Sequence, residues 1–369
     1  MKIAMFGQKV VPSRMGGVEV VVNNLSTRMV EKGHTVVLYN RKAKNVKKIK
    51  SFKGVRVYTV PTINKKGFAA ISASFFASIL SSFKKYDIVH IHAEGPAFFS
   101  WVPKLFNKKV IVTIHGLDWQ RAKWKKGLGS KFIKLGEKNA VKYADKIIVL
   151  SKENQNYFKE KYNCNTVLIP NGVNKPEVLK ANLIKQKWGL KKDTYILFLG
   201  RIVPEKGIKN LVLAYKQIET NQKLVIAGGS SDTDNFYKEL KLLAKNDPRI
   251  IFTGSVKGKT LGELYSNAYL YVLPSDLEGM PLSLLEAMSY GNAVLTSDIP
   301  ECTDVVGKNA IIFHHGSIKD LKDKLQLALN SKKLVYQLKN RASNYILKKY
   351  DWDDIVDRTL LVYRKCLND

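Results

Sequence analysis

Short runs of aliphatic and β-branched residues alternate with longer amphipathic stretches along the whole chain, the pattern of parallel strands joined by crossover helices. Strands are predicted at Lys2–Phe6, Thr35–Tyr39, Val55–Val60, Ile88–His92, Val110–Ile114, Lys146–Leu150 and Val167–Ile169, with helices such as Val18–Glu31 and Lys131–Tyr143 between them. The run Pro170-Asn171-Gly172-Val173 is rich in turn formers and is followed by a polar stretch to Lys192, which places a hinge there. The pattern then restarts, with strands predicted at Tyr195–Leu199, Lys223–Ala227, Ile250–Thr253, Leu270–Leu273, Ala293–Thr296 and Ile311–Phe313. From Asp320 to Leu367 only helical spacing is left, and Trp352, Ile355, Leu360, Leu361 and Tyr363 mark a packed closing helix.

The expected fold is therefore α/β, with two doubly wound parallel-sheet domains facing a central cleft. The expected boundaries are 1–172, 173–345 and a closing helix at 346–369 that crosses back to the first domain. A length of 369 residues suits two such domains.

One stretch breaks the alternation. Residues 67–83 carry no charge, contain five serines, and are flanked by Lys65-Lys66 and Lys84-Lys85. Seventeen residues is short for a membrane span, which needs about 20. Phe68, Ile71, Phe75, Phe76, Ile79 and Leu80 follow helical spacing, which predicts a helix with that face buried in the core; contact with a membrane surface is the alternative.

Charge adds a second asymmetry. The net charge is +31, and residues 1–170 hold 32 Lys and Arg against 9 Asp and Glu, so about +23 lies in the first half. Such a field favours an anionic partner: nucleic acid, anionic lipid headgroups or a phosphorylated substrate. No zinc finger, aromatic RNA-binding signature or short helix-turn-helix domain stands out, so no nucleic-acid partner is expected. Cys164, Cys302 and Cys366 have no Cys-x-x-Cys spacing, which argues against a zinc or disulfide framework and suits a reducing compartment. The N-terminus runs directly into a strand without a leader pattern, so a cytoplasmic location is expected.

In open parallel sheets ligands bind beyond the carboxyl ends of the strands, so the loops after strands are the place to look for chemistry. After Tyr195–Leu199 comes Gly200-Arg201-Ile202-Val203-Pro204-Glu205-Lys206-Gly207, two cations able to grip a diphosphate, one as a bidentate fork and one as a point charge. After Leu270–Leu273 comes Pro274 to Met288, with Glu278 in the loop and Glu286 in a helix that Pro281 begins. The start of that helix, around Gly279, Met280, Leu282 and Ser283, offers backbone N–H groups and a positive helix end to an anion.

These elements, with Gly228-Gly229 after Lys223–Ala227, Gly16-Gly17 after the first strand and His115-Gly116 after Val110–Ile114, resemble glycosyltransferase family 4 in order and spacing over nearly the whole chain. The resemblance implies a retaining enzyme of the GT-B fold, built from two Rossmann-like domains. It implies that Arg201 and Lys206 hold a nucleoside diphosphate, Glu286 the ribose and Glu278 the donor hexose. By the same resemblance Gly16 and Gly17 allow backbone to approach the phosphates, and His115 lies near the hexose and the attacking hydroxyl. A structural histidine at a strand end is the plainer reading of His115.

The stretch from His115 to Trp124, together with Glu94, supplies the expected acceptor residues Glu94, Asp118, Trp119, Arg121 and Trp124, although both tryptophans could equally be packing residues. This stretch and Arg14–Glu19 are similar to bacterial family members that build cell-surface polysaccharide on a lipid diphosphate. The implied reaction moves a hexose from a nucleotide sugar, UDP-sugar before GDP- or dTDP-sugar, to a saccharide or lipid-diphosphate-linked saccharide. It implies an enzyme peripheral to the inner face of the cell membrane and held there by its basic domain. No cofactor and no metal are expected, since the nucleotide sugar is a co-substrate. Asp232-Thr233-Asp234 could be read as a metal-binding Asp-x-Asp, but turn and helix-cap roles suit it better. The alternatives are an epimerase or phosphorylase on the same fold and, least favoured, a basic nucleic-acid-binding protein.

Overall fold

The strand runs read from the sequence form two separate parallel sheets in the computed structural model, which describes residues 1–14, 16–43, 48–65, 67–121, 127–230 and 233–369. The chain divides into two units: Met1–Gly172 with Trp352–Asp369, and Val173–Asp351.

Unit 1 contains β1 (Lys2–Phe6), β2 (Thr35–Arg41), β3 (Ser51–Phe52), β4 (Val55–Val60), β5 (Ile88–His92), β6 (Lys109–Ile114), β7 (Lys146–Val149) and β8 (Val167–Leu168). They lie in the order β3-β4-β2-β1-β5-β6-β7-β8. All pairs are parallel except β3 with β4, a two-residue return that alternation is too coarse to register. Because β1 pairs with both β2 and β5, the winding reverses between β1 and β5, the position at which such sheets place their ligand crevice. The helices are α1 (Gly17–Glu31), α2 (Phe68–Phe83), α3 (Glu94–Ala97), α4 (Trp101–Leu105), α5 (Leu128–Tyr143) and α6 (Lys152–Tyr162). They flank a core of aliphatic residues such as Val89, Ile91, Val110 and Val112, buried on both faces of the sheet.

Unit 2 repeats the scheme with β9 (Tyr195–Leu199), β10 (Lys223–Ala227), β11 (Ile250–Gly254), β12 (Leu270–Leu273), β13 (Val294–Ser297) and β14 (Ile311–Phe313), in the order β11-β10-β9-β12-β13-β14. Its reversal lies between β9 and β12. Its helices are α7 (Leu183–Trp188), α8 (Ile208–Lys216), α9 (Asp234–Leu243), α10 (Gly258–Asn267), α11 (Leu282–Ser289), α12 (Pro300–Val306), α13 (Ile318–Asn330) and α14 (Lys332–Lys349).

The last helix, α15 (Trp352–Asn368), belongs to unit 1. It starts at Trp352 rather than 346, because α14 runs unbroken to Lys349 and Asp351 still bridges Val173 within unit 2. Trp352, Ile355, Leu360 and Tyr363 are buried as the spacing predicts, and Leu361 is exposed. Tyr363 Oη lies 2.6 Å from His90 Nδ1, and Lys32 pairs with Asp357 at 2.7 Å, tying the helix to the sheet and to α1.

Helix α2 corrects the sequence reading. It is a helix, but its aromatic face points outward: Phe68, Phe75, Leu80 and Phe83 are exposed, while Ser72, Ala73, Ser74, Ala77, Ser78, Ser81 and Ser82 are buried. Four of the buried serine hydroxyls bond back to helix carbonyls, among them Ser78 Oγ to Phe75 O at 2.7 Å and Ser82 Oγ to Ser78 O at 2.7 Å. The helix thus satisfies these groups itself, and the small side chains let its backbone lie close to the unit's interior. Spacing reveals that two faces exist; it does not say which one is inside. Ser78→Leu is therefore expected to overpack the buried face and cost about 1–3 kcal/mol, read as a lower urea midpoint. An unchanged midpoint would mean that the serine face is not the packed one.

Candidate functional site

Unit 2 gathers its chemistry beyond β9 and β12, the strands that flank its reversal. The loop after β9 carries Arg201 and, in a 3-10 turn at Pro204–Lys206, Lys206. The loop after β12 carries Ser275, Asp276 and Glu278. The two loops touch: Asp276 N donates to Glu205 O at 2.9 Å, and Lys206 Nζ is ion-paired with Glu278 Oε1. Gly207 makes this approach possible, since it sits at φ +64° and a Cβ there would collide with the Pro274 carbonyl oxygen. The Lys206 side chain is only 12% exposed and that of Glu278 9%, so the pair is largely withdrawn from solvent. Ser275 Oγ donates to the same Glu278 oxygen at 2.7 Å.

The surroundings extend the constellation. Gly228 closes the loop after β10 against Gly200, whose carbonyl oxygen occupies the space of a Cβ, and Ile202 N donates to Gly229 O at 2.9 Å. Met280 and Gly279 are buried and lead to Pro281, which caps α11 without a side-chain acceptor, so the positive end of that helix lies at Leu282 and Ser283. Glu286 sits on the second turn of α11 and accepts from Tyr265 Oη at 3.3 Å. Burial, and then the neighbouring Glu278 carboxylate, push the Cys302 thiol up to about 12, with Lys206 acting in the opposite direction. Ser275 and Tyr265 were not singled out in the sequence, and Cys302 was weighed there only against a zinc or disulfide framework. Ser275 could have been, because it stands between a strand end and a glutamate.

In unit 1 a row of imidazoles runs from His90 and His92 on β5 to His115 just after β6. His90 is bonded on both nitrogens, to Tyr363 Oη and, at 2.7 Å, to Thr113 Oγ1. The rings of His90 and His92 lie 4.1 Å apart, and His92 Nδ1 lies 3.1 Å from His115 Nε2. Burial, and then the Arg121 charge, hold His115 down to about 3; burial, and then His115, do the same to His90. All three rings are neutral near pH 7, because burial also drives His92 well below its ordinary value. With Nε2 engaged by His92, the atom that His115 can present to a ligand is Nδ1.

Gly16 caps α1 and Gly17 begins it. Glu19, the end of the Arg14–Glu19 stretch but given no role in the sequence, folds back over this turn and accepts from Lys9 N at 2.7 Å. Asp118, Trp119 and Gln120 form a short 3-10 turn, in which Arg121 Nε pairs with Asp118 Oδ1 at 3.1 Å.

The reading of Glu94 and Trp119 as acceptor contacts changes here. Glu94 is fully buried, and its carboxyl faces inward: Oε2 accepts from Asp118 N at 2.7 Å, and the other side meets the equally buried Glu137. Glu137 collects donors from Trp119 Nε1 at 3.2 Å, Tyr157 Oη at 2.8 Å, Lys161 Nζ at 2.9 Å and the Tyr162 hydroxyl. The Trp119 ring is also flanked by Lys134 and Lys161, whose Nζ atoms lie 4.6 and 5.5 Å from its centroid. Its indole is thus tied into the protein, and Glu94 reaches a ligand only through the turn it holds. Trp124 and Asp232 lie outside the described residues.

Among the described residues, one group of metal-ligating types converges: Asp298 with His314 and His315, each Nδ1 lying 2.8 Å from a carboxylate oxygen. Burial acts against the Asp298 carboxylate, but bonds from the His315 backbone and both rings hold it down to about 2. These are ordinary hydrogen bonds on an open surface, and the two rings are exposed.

Residues 15–175 match the family model described as Glycosyltransferase Family 4, and residues 180–348 match that described as Glycosyl transferases group 1. An uncharacterized glycosyltransferase of Methanocaldococcus jannaschii is 27% identical, over 99% of this chain and 98% of its own. The N,N'-diacetylbacillosaminyl-diphospho-undecaprenol alpha-1,3-N-acetylgalactosaminyltransferase of Campylobacter jejuni is 26% identical, over 67% of this chain and 73% of its own. Among solved structures, the HepE protein of Anabaena in complex with UDP and glucose shares the fold with a TM-score of 0.80 at 14% identity, covering 99% of this chain and all of that one.

The carboxyl pair of unit 1 yields a pH dependence with a definite sign. Burial first, and then the Asp118 charge and the neighbouring Glu137 carboxyl, raise Glu94 well above the ordinary carboxyl range, so it keeps its proton beside the charged Glu137. For Glu137 burial works upward, but bonds from Tyr162, Lys161, Glu94 and Tyr157 outweigh it and hold the group below its usual value. A raised folded-state value gives stability that is complete at low pH and lost as pH climbs through that value; a lowered one gives stability lost as pH falls through it. Glu94→Gln, which keeps a donor toward Glu137 at every pH, is expected to remove the alkaline loss in a series of urea midpoints taken from the ordinary carboxyl range upward. Glu137→Gln is expected to cost about 1–3 kcal/mol, because buried donors lose their charged acceptor. Parallel pH profiles for wild type and Glu94→Gln would exclude the proton on Glu94.

Proposed function

On the premise that the chain belongs to the glycosyltransferases, family 4 in its first half and group 1 in its second, we propose that it is a retaining hexosyltransferase that draws on a nucleoside-diphosphate sugar. The observation that carries this reading is the Lys206–Glu278 pair beyond β9 and β12, with Arg201 in the same loop and the start of α11 close behind in sequence. Departure of a nucleoside diphosphate builds charge on phosphate oxygens, and a fixed ammonium, a guanidinium fork and a helix N-terminus stabilise that charge without reorganising. Glu278, held by Lys206 and Ser275, is oriented to accept from hexose hydroxyls; Glu286, one helical turn into α11, takes the ribose hydroxyls. No carboxylate nucleophile is required. Attack on the face the leaving group vacates, with a phosphate oxygen receiving the acceptor proton, balances the reaction.

UDP-sugar is the favoured donor, in keeping with HepE, which is described with UDP and glucose. The C. jejuni relative is named for a diphospho-undecaprenol acceptor, which supports a lipid-diphosphate-linked saccharide as acceptor here. In unit 1, neutral His115 offers Nδ1 to the incoming hydroxyl, and Asp118 and Arg121 border the acceptor, with Trp119 held by Glu137. The enzyme works on the cytoplasmic face of a membrane as a peripheral protein, in the synthesis of surface polysaccharide, and needs neither metal nor resident cofactor.

A panel of UDP-, GDP- and dTDP-hexoses, with released nucleotide quantified and the anomeric configuration read by NMR in the presence of a chelator, tests this directly. Retention of configuration without added metal is expected; inversion, or loss of turnover in the chelator, would overturn the mechanism. An epimerase would convert the donor without an acceptor, and a phosphorylase would require inorganic phosphate. Lys206→Ala, Glu278→Gln and His115→Ala are each expected to lower transfer by about 10²–10³-fold. Wild-type turnover in all three would sink the residue roles.

A further inference from the structure

We propose that the outward face of α2, together with α4, is the surface by which this protein docks on an anionic lipid bilayer. The inference rests on the membrane part of the preceding reading and assigns it to particular side chains. It starts from the inversion of α2. A helix that buries serine and alanine while exposing Phe68, Phe75, Leu80 and Phe83 forgoes the burial of its largest apolar groups on folding.

The exposed face does not end with α2. Trp101, Leu105 and Phe106 on and just after α4 are exposed as well. Phe83 and Phe106 meet with ring centroids 4.7 Å apart, so the exposed faces of the two helices join there, while Phe75 is seated on the buried Phe99 at 5.7 Å. Phe83 and Leu105 stand at its summit, each 71% exposed. Seven such side chains, at roughly half exposure, amount to an area on the order of 700 Å², above the few hundred usual for the largest patch of a monomer.

Charge selects the occupant. Residues 32–86 contain 13 Lys and Arg and no Asp or Glu. Exposed Lys65 lies just before α2, and Lys84 and Lys85 follow it. Asp145 is paired with Lys104 of α4 at 2.6 Å, and Asp87, which follows Lys84 and Lys85, accepts from Lys2 N at 2.7 Å, leaving the lysines in excess. Aromatic and leucine side chains surrounded by lysines fit the interface of a bilayer, where the apolar groups enter the acyl boundary and the ammonium groups stay among anionic headgroups. No helix among the described residues is long and apolar enough to cross the membrane, so the contact is one of surface insertion.

Co-sedimentation with vesicles tests this, using phosphatidylcholine alone and phosphatidylcholine with about 30 mol% phosphatidylglycerol. Wild type is expected to bind the anionic vesicles, less at high salt, and to leave the neutral ones. Phe75→Ser/Phe83→Ser and, separately, Leu105→Ser/Phe106→Ser are expected to weaken binding by roughly tenfold to a hundredfold. Each double variant is first shown to be folded by a cooperative urea transition, and Leu242→Ser, an exposed leucine of unit 2, binds as wild type. If wild type ignores anionic vesicles, the membrane part of the function fails and this surface with it. If wild type binds and both double variants bind equally well, the surface assignment alone is wrong. Loss of self-association in the variants, with vesicle binding intact, would make the occupant a second copy and overturn the proposal. Because transfer to a water-soluble acceptor is read separately, its failure tests the reaction and leaves the vesicle result standing.

Discussion

The carbonyl of Pro274 lies where a side chain on Gly207 would have to be, and this close approach governs the arrangement of unit 2. Two parallel strands on either side of a winding reversal send their loops apart, and chemistry at their ends needs those loops to return to each other. Here they return through backbone: a glycine at positive φ against a carbonyl, and Asp276 N on Glu205 O at 2.9 Å. Lys206, one residue before the glycine, is thereby delivered to Glu278, four residues past the proline. A pair this withdrawn from water would cost more in desolvation than it returns if the two groups had to be brought together from mobile loops. Fixed backbone removes that entropy in advance, and Ser275 meets a further lone pair of the carboxylate.

Unit 1 solves a different problem with the same topology. Its strand-end loops must hold polar turns against a largely aliphatic core, and its answer is clusters of neutral or hydrogen-bonded groups. Three imidazoles stand along β5 and the end of β6, and burial keeps them uncharged. Two carboxyls meet beneath the Asp118–Gln120 turn, where a single negative charge is spread over four donors. A buried cluster satisfied in this way defines one conformation of the turn, since moving Trp119 leaves Glu137 short of a donor and Glu94 without Asp118 N.

The sheets were legible in the sequence because parallel strands buried on both faces read as uninterrupted aliphatic runs, and every predicted run forms a strand within two residues at either end. The two-residue β3 left no such run. In the candidate sites, residues in loops directly after strands could be named because topology alone puts those loops together. What could not be read was depth. Glu94 follows a strand just as Glu278 follows one, yet it points into the interior, toward a partner 43 positions away on α5. Trp119 appears in the sequence as an aromatic in a basic loop, and only the position of Glu137 reveals where its indole nitrogen goes.

Helix α2 carries this lesson furthest, because its periodicity is correct and its polarity is reversed. Burial of a helix face is usually decided by which side is more apolar, but here the serines cap their own carbonyls and so carry little penalty inside. That leaves the phenyl rings free to serve another environment. Positive charge alone, which dominates the first half of the chain, would serve nucleic acid and lipid equally. The aliphatic members break the tie. Phenyl rings could stack on unpaired bases, but Leu80 and Leu105 offer no π-face, and a phosphate backbone gains nothing from them. Leucine beside phenylalanine, with lysine around both, suits an environment with an apolar interior and an anionic surface, which is the occupant proposed for this face.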